Sequence, residues 1–271
     1  MDETVVRGPD EVPRDAVETA LLRWTAALEA RHLADLRVQE VTRALRALSA
    51  AYVERRHDDA SADARHSKVR GALDSAGKRA AFAVFYGPLH FIAVSRVALA
   101  IRALQTPARS IVDLGCGTGA AGAALALVVP SHPPVVGIDR HRWAVDEARW
   151  TYAHFGLSGR TRVGDITRPP SIGAGDVVLA AYVLNELAES ARARVEHALM
   201  AAADRGARVL VLEPIARAVT PWWDTTAAAV VARGGRADEW RFPIERPPIV
   251  TLLDNAAGLD HRELTVRTLY L

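Results

Sequence analysis

The chain is poor in sulfur: among its 271 residues there are one cysteine, Cys116, and two methionines. One cysteine excludes an intramolecular disulfide framework and any all-cysteine metal site within a single chain. The nine histidines show no two-histidine spacing with a carboxylate, so no metal site is expected. Lysine is nearly absent too. Lys68 and Lys78 stand alone, and arginine supplies the remaining positive charge. Alongside heavy alanine use, this reads as a coding bias rather than a functional choice. No apolar run approaches the roughly 18 residues of a membrane span, and the opening MDETVVRGPDEVPRD is acidic and polar, unlike a secretory signal. A cytoplasmic protein with no membrane partner is the expectation. Charge of one sign is not concentrated either. Residues 1–107 carry 16 basic and 14 acidic side chains, and residues 108–271 carry 18 of each. A nucleic-acid binder usually gathers positive charge in one segment or on one face. Linear counting shows no such block, although folding can assemble one.

Two regions of different rhythm follow. In the first hundred residues Val17, Leu21, Trp24 and Leu28 keep helical spacing, as do Val38, Val41, Leu45, Leu48 and Tyr52. The stretch Glu54–Arg70 is polar and has no apolar stripe; a loop, a hinge or an exposed helix would each suit it. Gly87-Pro88 is expected to break one helix and to place Pro88 in the first turn of the next. After Pro107 short apolar runs (RSIVDL, PVVGID, TRVGD, DVVLAAYV, ARVLVLEP) alternate with helical ones. That alternation predicts an α/β fold, a mostly parallel sheet covered on both faces. The closing HRELTVRTLYL alternates as an edge strand would. The division expected is a helical cap or substrate domain over residues 1–107 and a catalytic domain over residues 108–271.

The strongest motif is Ile111-Val-Asp-Leu-Gly-Cys-Gly-Thr-Gly119, a strand running through a glycine turn into a small-residue helix. Gly115 and Gly117 let the backbone turn sharply and approach a ligand. Gly119 is expected to let the helix sit close to the strand. Asp139 ends the second predicted strand, where a carboxylate accepts hydrogen bonds from ribose hydroxyls or caps the next helix; the two roles are compatible. Asp165 follows a third strand, where it either meets an adenine amino group, with Ile166 on the ring face, or serves as a turn residue. The even glycine spacing departs from the G-x-G-x-x-G of nicotinamide dehydrogenases.

DLGCGTG, GID, GDI and DVVLAAYVLNEL together resemble the class I, Rossmann-like S-adenosylmethionine-dependent methyltransferases, over residues 108 to about 215. The resemblance implies a sheet of about seven strands with S-adenosylmethionine across the strand C-termini. By position, Asp113 and Gly115, Cys116, Gly117 and Gly119 would border its methionine half. Asp139, with Arg140 beside it, would hold the ribose, and Asp165 with Ile166 the adenine. A narrower likeness, in AAYVLNEL followed by VLVLEP, is to methyltransferase-like proteins associated with mitochondrial small ribosomal subunits. Their pattern includes a cysteine cluster suited to an iron–sulfur centre, which a chain with only Cys116 does not have.

Methyl transfer is an in-line displacement that needs approach, alignment and water exclusion more than a strong acid. Tyr182, Asn185 and Glu186 follow the fourth strand, where acceptor and donor must meet. Asn185 and Glu186 fit a helix cap equally well. Tyr86 and His90 flank Gly87-Pro88, and the cap is expected to carry them to the ligand. His90 titrates near neutrality and suits a base, or else it is a hydrogen-bonded core residue. Glu213 ends the fifth strand at the same cleft, and Trp222 and Trp223 form an acceptor wall or pack a helix. Asp238–Phe242 has no assignment. The leading expectation is a small-molecule or peptide acceptor. The alternatives are RNA, disfavoured by the dispersed charge, and a non-catalytic assembly factor that keeps the cofactor fold.

Overall fold

A computed structural model describes residues 14–54 and 73–271, with side chains described outside 51–54. The opening residues and most of the polar stretch 54–70 therefore lie outside the described residues. Helices α1 (Arg14–His32) and α2 (Val38–Glu54) bury the expected stripes, Val17, Leu21, Trp24 and Leu28 in one and Val41, Leu45 and Leu48 in the other. Val38, counted in that second stripe, is exposed.

A long helical stretch follows, from α3 (Ala76–Ala81) through a π turn (Phe82–Tyr86) into α4 (Gly87–Ala100). Gly87-Pro88 does not break it. The Gly87 N–H reaches back five residues to the Phe82 carbonyl, and this wider turn absorbs the donor that Pro88 lacks. By length and composition the stretch could cross a membrane, yet 72% of its most apolar window is buried inside the fold. It serves here as a core helix.

The rest alternates: β1 (Ser110–Leu114), α5 (Ala120–Val128), β2 (Val135–Asp139), α6 (Arg142–His154), β3 (Gly159–Val163), β4 (Asp176–Ala181), α7 (Glu189–Asp204), β5 (Arg208–Pro214), α8 (Trp223–Val231), β6 (Arg236–Pro243), α9 (Pro248–Ala257) and β7 (Glu263–Tyr270). The seven strands lie in the order β3-β2-β1-β4-β5-β7-β6. β1 to β5 are parallel, and β7 runs antiparallel to both its neighbours. The closing segment is thus not an edge strand as its alternation suggested. It inserts between β5 and β6, and β6, which contains the unassigned Asp238–Phe242, forms the edge. Alternation reports two unlike faces, whereas edge position depends on which backbone supplies the outer hydrogen bonds.

Two clusters of buried side chains cover the sheet. One joins α1, α2, the π turn, α4, α5 and α9 to one sheet face; the other packs α7 and α8 on the opposite face. Side chains from either side of Pro107 therefore share one core. A polar link reinforces it: buried Glu147 of α6 accepts from Arg31 Nε at 3.1 Å and pairs with His32 Nε2 at 2.8 Å. Glu147→Ala leaves two cationic or polar groups of α1 without their acceptor. The expected loss is about 2 kcal/mol of stability, read from the urea midpoint at unchanged slope.

Candidate cofactor and acceptor site

The site grows from the C-terminal ends of β1, β2 and β4. After β1 the chain turns through Gly115, Gly117 and Gly119, all left-handed at φ 74°, 50° and 79°. A Cβ on Gly115 would lie 2.4 Å from Val183 Cγ2, so the post-β4 loop closes directly on this backbone. Gly119 does not bring α5 onto the strand, as expected of it. It faces Ala148 and Tyr152 of α6, and Gly122 makes the approach to the strand, its N–H donating to Asp113 Oδ2 at 3.0 Å.

Asp113 is buried beneath the turn. Oδ2 also accepts from the Tyr152 hydroxyl at 3.3 Å, while Oδ1 has no partner among the described residues. Burial pushes its pKa up to about 7. The Cys116 side chain points down as well, packed near Gly137 and Tyr152, and burial raises its thiol far above the ordinary range. Only the backbone of Cys116 belongs to the turn, and the thiol is not poised to react.

Asp139 joins two elements. Oδ2 accepts from the Gly117 N–H at 3.0 Å and Oδ1 from the His141 N–H at 2.8 Å, so one carboxylate fixes the turn and the entry to α6. Each oxygen keeps lone-pair capacity for a further donor. Arg140, next in the chain, is exposed. Asp165 is exposed and folds onto its own turn, accepting from Thr167 N at 2.9 Å and Thr167 Oγ1 at 2.8 Å, which lowers its pKa. Ile166 is buried in the second cluster.

The other wall is aromatic. His90 and Tyr182 stack at 4.4 Å with an interplanar angle of 17°. Tyr86 lies 6.3 Å from His90, and Phe82 6.1 Å from Tyr86. The Phe82 ring borders Gly117, 3.5 Å from where a Cβ would stand. Tyr182 sits at φ 58°, a conformation uncommon for a side-chain-bearing residue and concentrated at functional sites. Burial drives the Tyr86 phenol up to about 12 and raises that of Tyr182, so both stay neutral. Burial also lowers His90 to about 4. The expectation of a near-neutral base at His90 does not hold: packing among rings costs the charged imidazolium its hydration.

Asn185 and Glu186 do not cap α7, whose N-cap residue is Ala188. They sit in a short 3-10 turn over Leu184–Glu186. The Asn185 Nδ2 donates to Glu213 Oε2 at 2.5 Å, and the Leu184 N–H to Glu213 Oε1 at 2.8 Å. Glu213 is fully buried and lifted to about 8, with Asn185 as its partner. Trp222 and Trp223 pack within the second cluster.

This frame of a strand, a left-handed glycine turn, a helix, and a carboxylate from the neighbouring strand lies inside residues 111–210, which match the family model described as "Methyltransferase domain". Residues 111–210 therefore form a methyltransferase domain. A comparison of the chain with curated protein sequences returns no match. Among solved structures it is similar to mitomycin 7-O-methyltransferase, with 18% identity, 94% of this chain and 74% of that chain covered, and a TM-score of 0.49. Magnesium protoporphyrin IX methyltransferase from Synechocystis PCC 6803 gives 18% identity, coverage of 76% and 95%, and a TM-score of 0.49. A SAM-dependent methyltransferase from Aquifex aeolicus gives 15% identity, coverage of 67% and 90%, and a TM-score of 0.44. Two features of the chain itself would suit S-adenosylmethionine: the Asp113 Oδ1 orphaned under the turn, and an Asp139 carboxylate with unused acceptor capacity.

Sequence reasoning missed two residues here. Phe82 was legible only as the first of a series, Phe82, Tyr86 and His90, at four-residue spacing on one helix face. Tyr152 gave no local signal, because it reaches Asp113 only when α6 packs on α5.

Proposed function

We propose that the protein transfers the sulfonium methyl of S-adenosylmethionine to a planar, unsaturated ring system whose acceptor atom already carries an available lone pair. The supporting observation is the aromatic wall of Phe82, Tyr86, His90 and Tyr182, set beside the glycine turn with its phenols and imidazole held neutral. Such a surface stacks a flat acceptor and excludes water. When bound, the cofactor supplies an electrophilic methyl. The glycine turn would take the methionine half, Asp139 the ribose hydroxyls, and the loop at Asp165 the adenine. Tyr182 and His90 would align the acceptor, and Asn185, tethered to Glu213, would hold the post-β4 loop rather than move a proton. A small molecule or the aromatic side chain of a peptide satisfies this chemistry, as does a nucleobase.

Calorimetry with S-adenosylhomocysteine tests the cofactor half, and Tyr182→Ala tests the wall. We expect the variant to bind S-adenosylhomocysteine within about fivefold of the parent, because stacking on the acceptor side is what it loses. It should also lose binding of flat heteroaromatic probes to the protein–S-adenosylhomocysteine complex by about tenfold, from about 1–3 kcal/mol of stacking. Equal probe binding by parent and variant would remove the acceptor role from this wall.

A further inference from the structure

The arginines that are dispersed along the chain gather in the fold. Most of the described arginines pair with a carboxylate or a backbone carbonyl, as Arg109 does with Asp176, Arg236 with Asp238 and Arg208 with the carbonyls of Ala103 and Pro107. Among those whose guanidinium has no hydrogen bond or ion pair to the described residues, Arg160 and Arg162 lie on the edge strand β3, Arg140 and Arg168 in the loops that follow β2 and β3, and Arg194 on α7 within electrostatic reach of Asp165. All five are exposed. Arg160 and Arg162 project from the same face of the edge strand β3, in register with Val136 and Ile138 of β2. Arg140 follows β2 directly, and Arg168 and Arg194 are both close enough to act electrostatically on Asp165.

The acids at this edge are already engaged. Asp139 holds Gly117 and His141, Asp165 holds Thr167, and Asp146 pairs with Arg142 and Arg149. The exposed guanidinium groups outnumber the carboxylates of Asp139 and Asp165, so the β2–β3 end of the cleft carries net positive charge, and the aromatic wall stands on its β4 side. A charged rim that tracks a backbone, next to rings that stack bases, is the arrangement proteins use for single-stranded nucleic acid.

We propose that this edge docks the phosphodiester backbone of single-stranded RNA or DNA, so that the flat acceptor enters the cleft as a nucleobase. This rests on the aromatic-acceptor reading above and replaces its small-molecule expectation. The linear charge count could not register the edge, because its arginines come from four separate segments.

The test is fluorescence anisotropy of the full chain with fluorescein-labelled 20-nucleotide single strands, RNA and DNA of equal sequence. The parent is compared with Arg160→Gln/Arg162→Gln/Arg168→Gln and with a charge-matched control, Arg23→Gln/Arg43→Gln/Arg102→Gln, made at exposed arginines elsewhere. For about four phosphate contacts the parent should show a log–log salt slope of about −3, and the edge variant a slope shallower by about 2. Affinity at low salt should fall at least tenfold in the edge variant and less than threefold in the control. A preference for one strand type identifies the source of the phosphodiester. Equal losses in the two variants, no binding by the parent, or tighter binding to anionic vesicles than to either strand would overturn the proposal. S-adenosylhomocysteine calorimetry on the same samples separates the questions: unchanged cofactor affinity in the edge variant shows an intact fold, and lack of cofactor binding in the parent defeats the methyl-transfer reading whatever the strands do.

Discussion

Asp139→Ala is expected to weaken S-adenosylhomocysteine binding by about 100-fold. The carboxylate holds the Gly117 N–H with one oxygen and the His141 N–H with the other, which ties the glycine turn to the start of α6. On the proposed reading the same oxygens accept from the ribose hydroxyls. Hydrogen bonds to a charged group contribute about 1.5–3 kcal/mol each, and two lost together account for the fold-change with some margin. Asp139→Asn keeps the shape and one acceptor oxygen, so it should lie between the variant and the parent. The fold should survive, since Asp139 is only half-buried and the packing around Tyr152 is untouched. A calorimetric affinity within threefold of the parent would remove Asp139 from the cofactor site. Binding of a nicotinamide dinucleotide in its place would remove the cofactor assignment altogether.

The second large effect is on stability against pH. Asp113 and Glu213 are both buried, and burial raises them to about 7 and about 8, from ordinary values near 3.8 and 4.5. Between those limits the folded protein holds protons that the unfolded chain has released. Stability is therefore fully present below the ordinary values and is lost as pH rises through the raised ones. His90, lowered to about 4, acts in the opposite sense below its ordinary 6.5, so the window from 6.5 to 8 reports the carboxylates most cleanly. There the expected loss approaches about 1.4 kcal/mol per pH unit for each group still protonated. Urea denaturation at pH 6.5 and 8.5 measures it. Glu213→Gln keeps an acceptor for the Leu184 N–H and should flatten the decline above pH 7, while Asp113→Asn should flatten the part nearer pH 6.5. A stability that rises across this window in the parent, or a decline unchanged in both variants, would show that these carboxylates are ionised in the folded state.

The sequence by itself determined what depends on neighbours along the chain. Alternating short and long apolar runs required parallel strands covered by helices, and the spacing of Val17, Leu21, Trp24 and Leu28 required a buried helix face. Three glycines in alternate positions after an apolar strand marked the turn, because only residues without a Cβ take that left-handed path cheaply. The position of Asp139 at the end of the next strand followed from the length of one strand–helix unit. Tertiary structure decided the remainder. The closing strand lies inside the sheet because β5 and β6 flank it, and no periodicity in its own residues carries that information. Whether a polar side chain faces the cleft or the core depends on partners far away in sequence: Asp113 turns to Gly122 and Tyr152, and Asn185 to Glu213. Ionisation follows the same rule, since His90 loses its near-neutral titration only when rings from the π turn and the post-β4 loop pack around it. The charged edge is the clearest case. Arg140, Arg160, Arg162, Arg168 and Arg194 are separated along the chain by balanced stretches; the pairing of β2 with β3 brings the first three to neighbouring strands, and the fold sets Arg168 and Arg194 within electrostatic reach of Asp165.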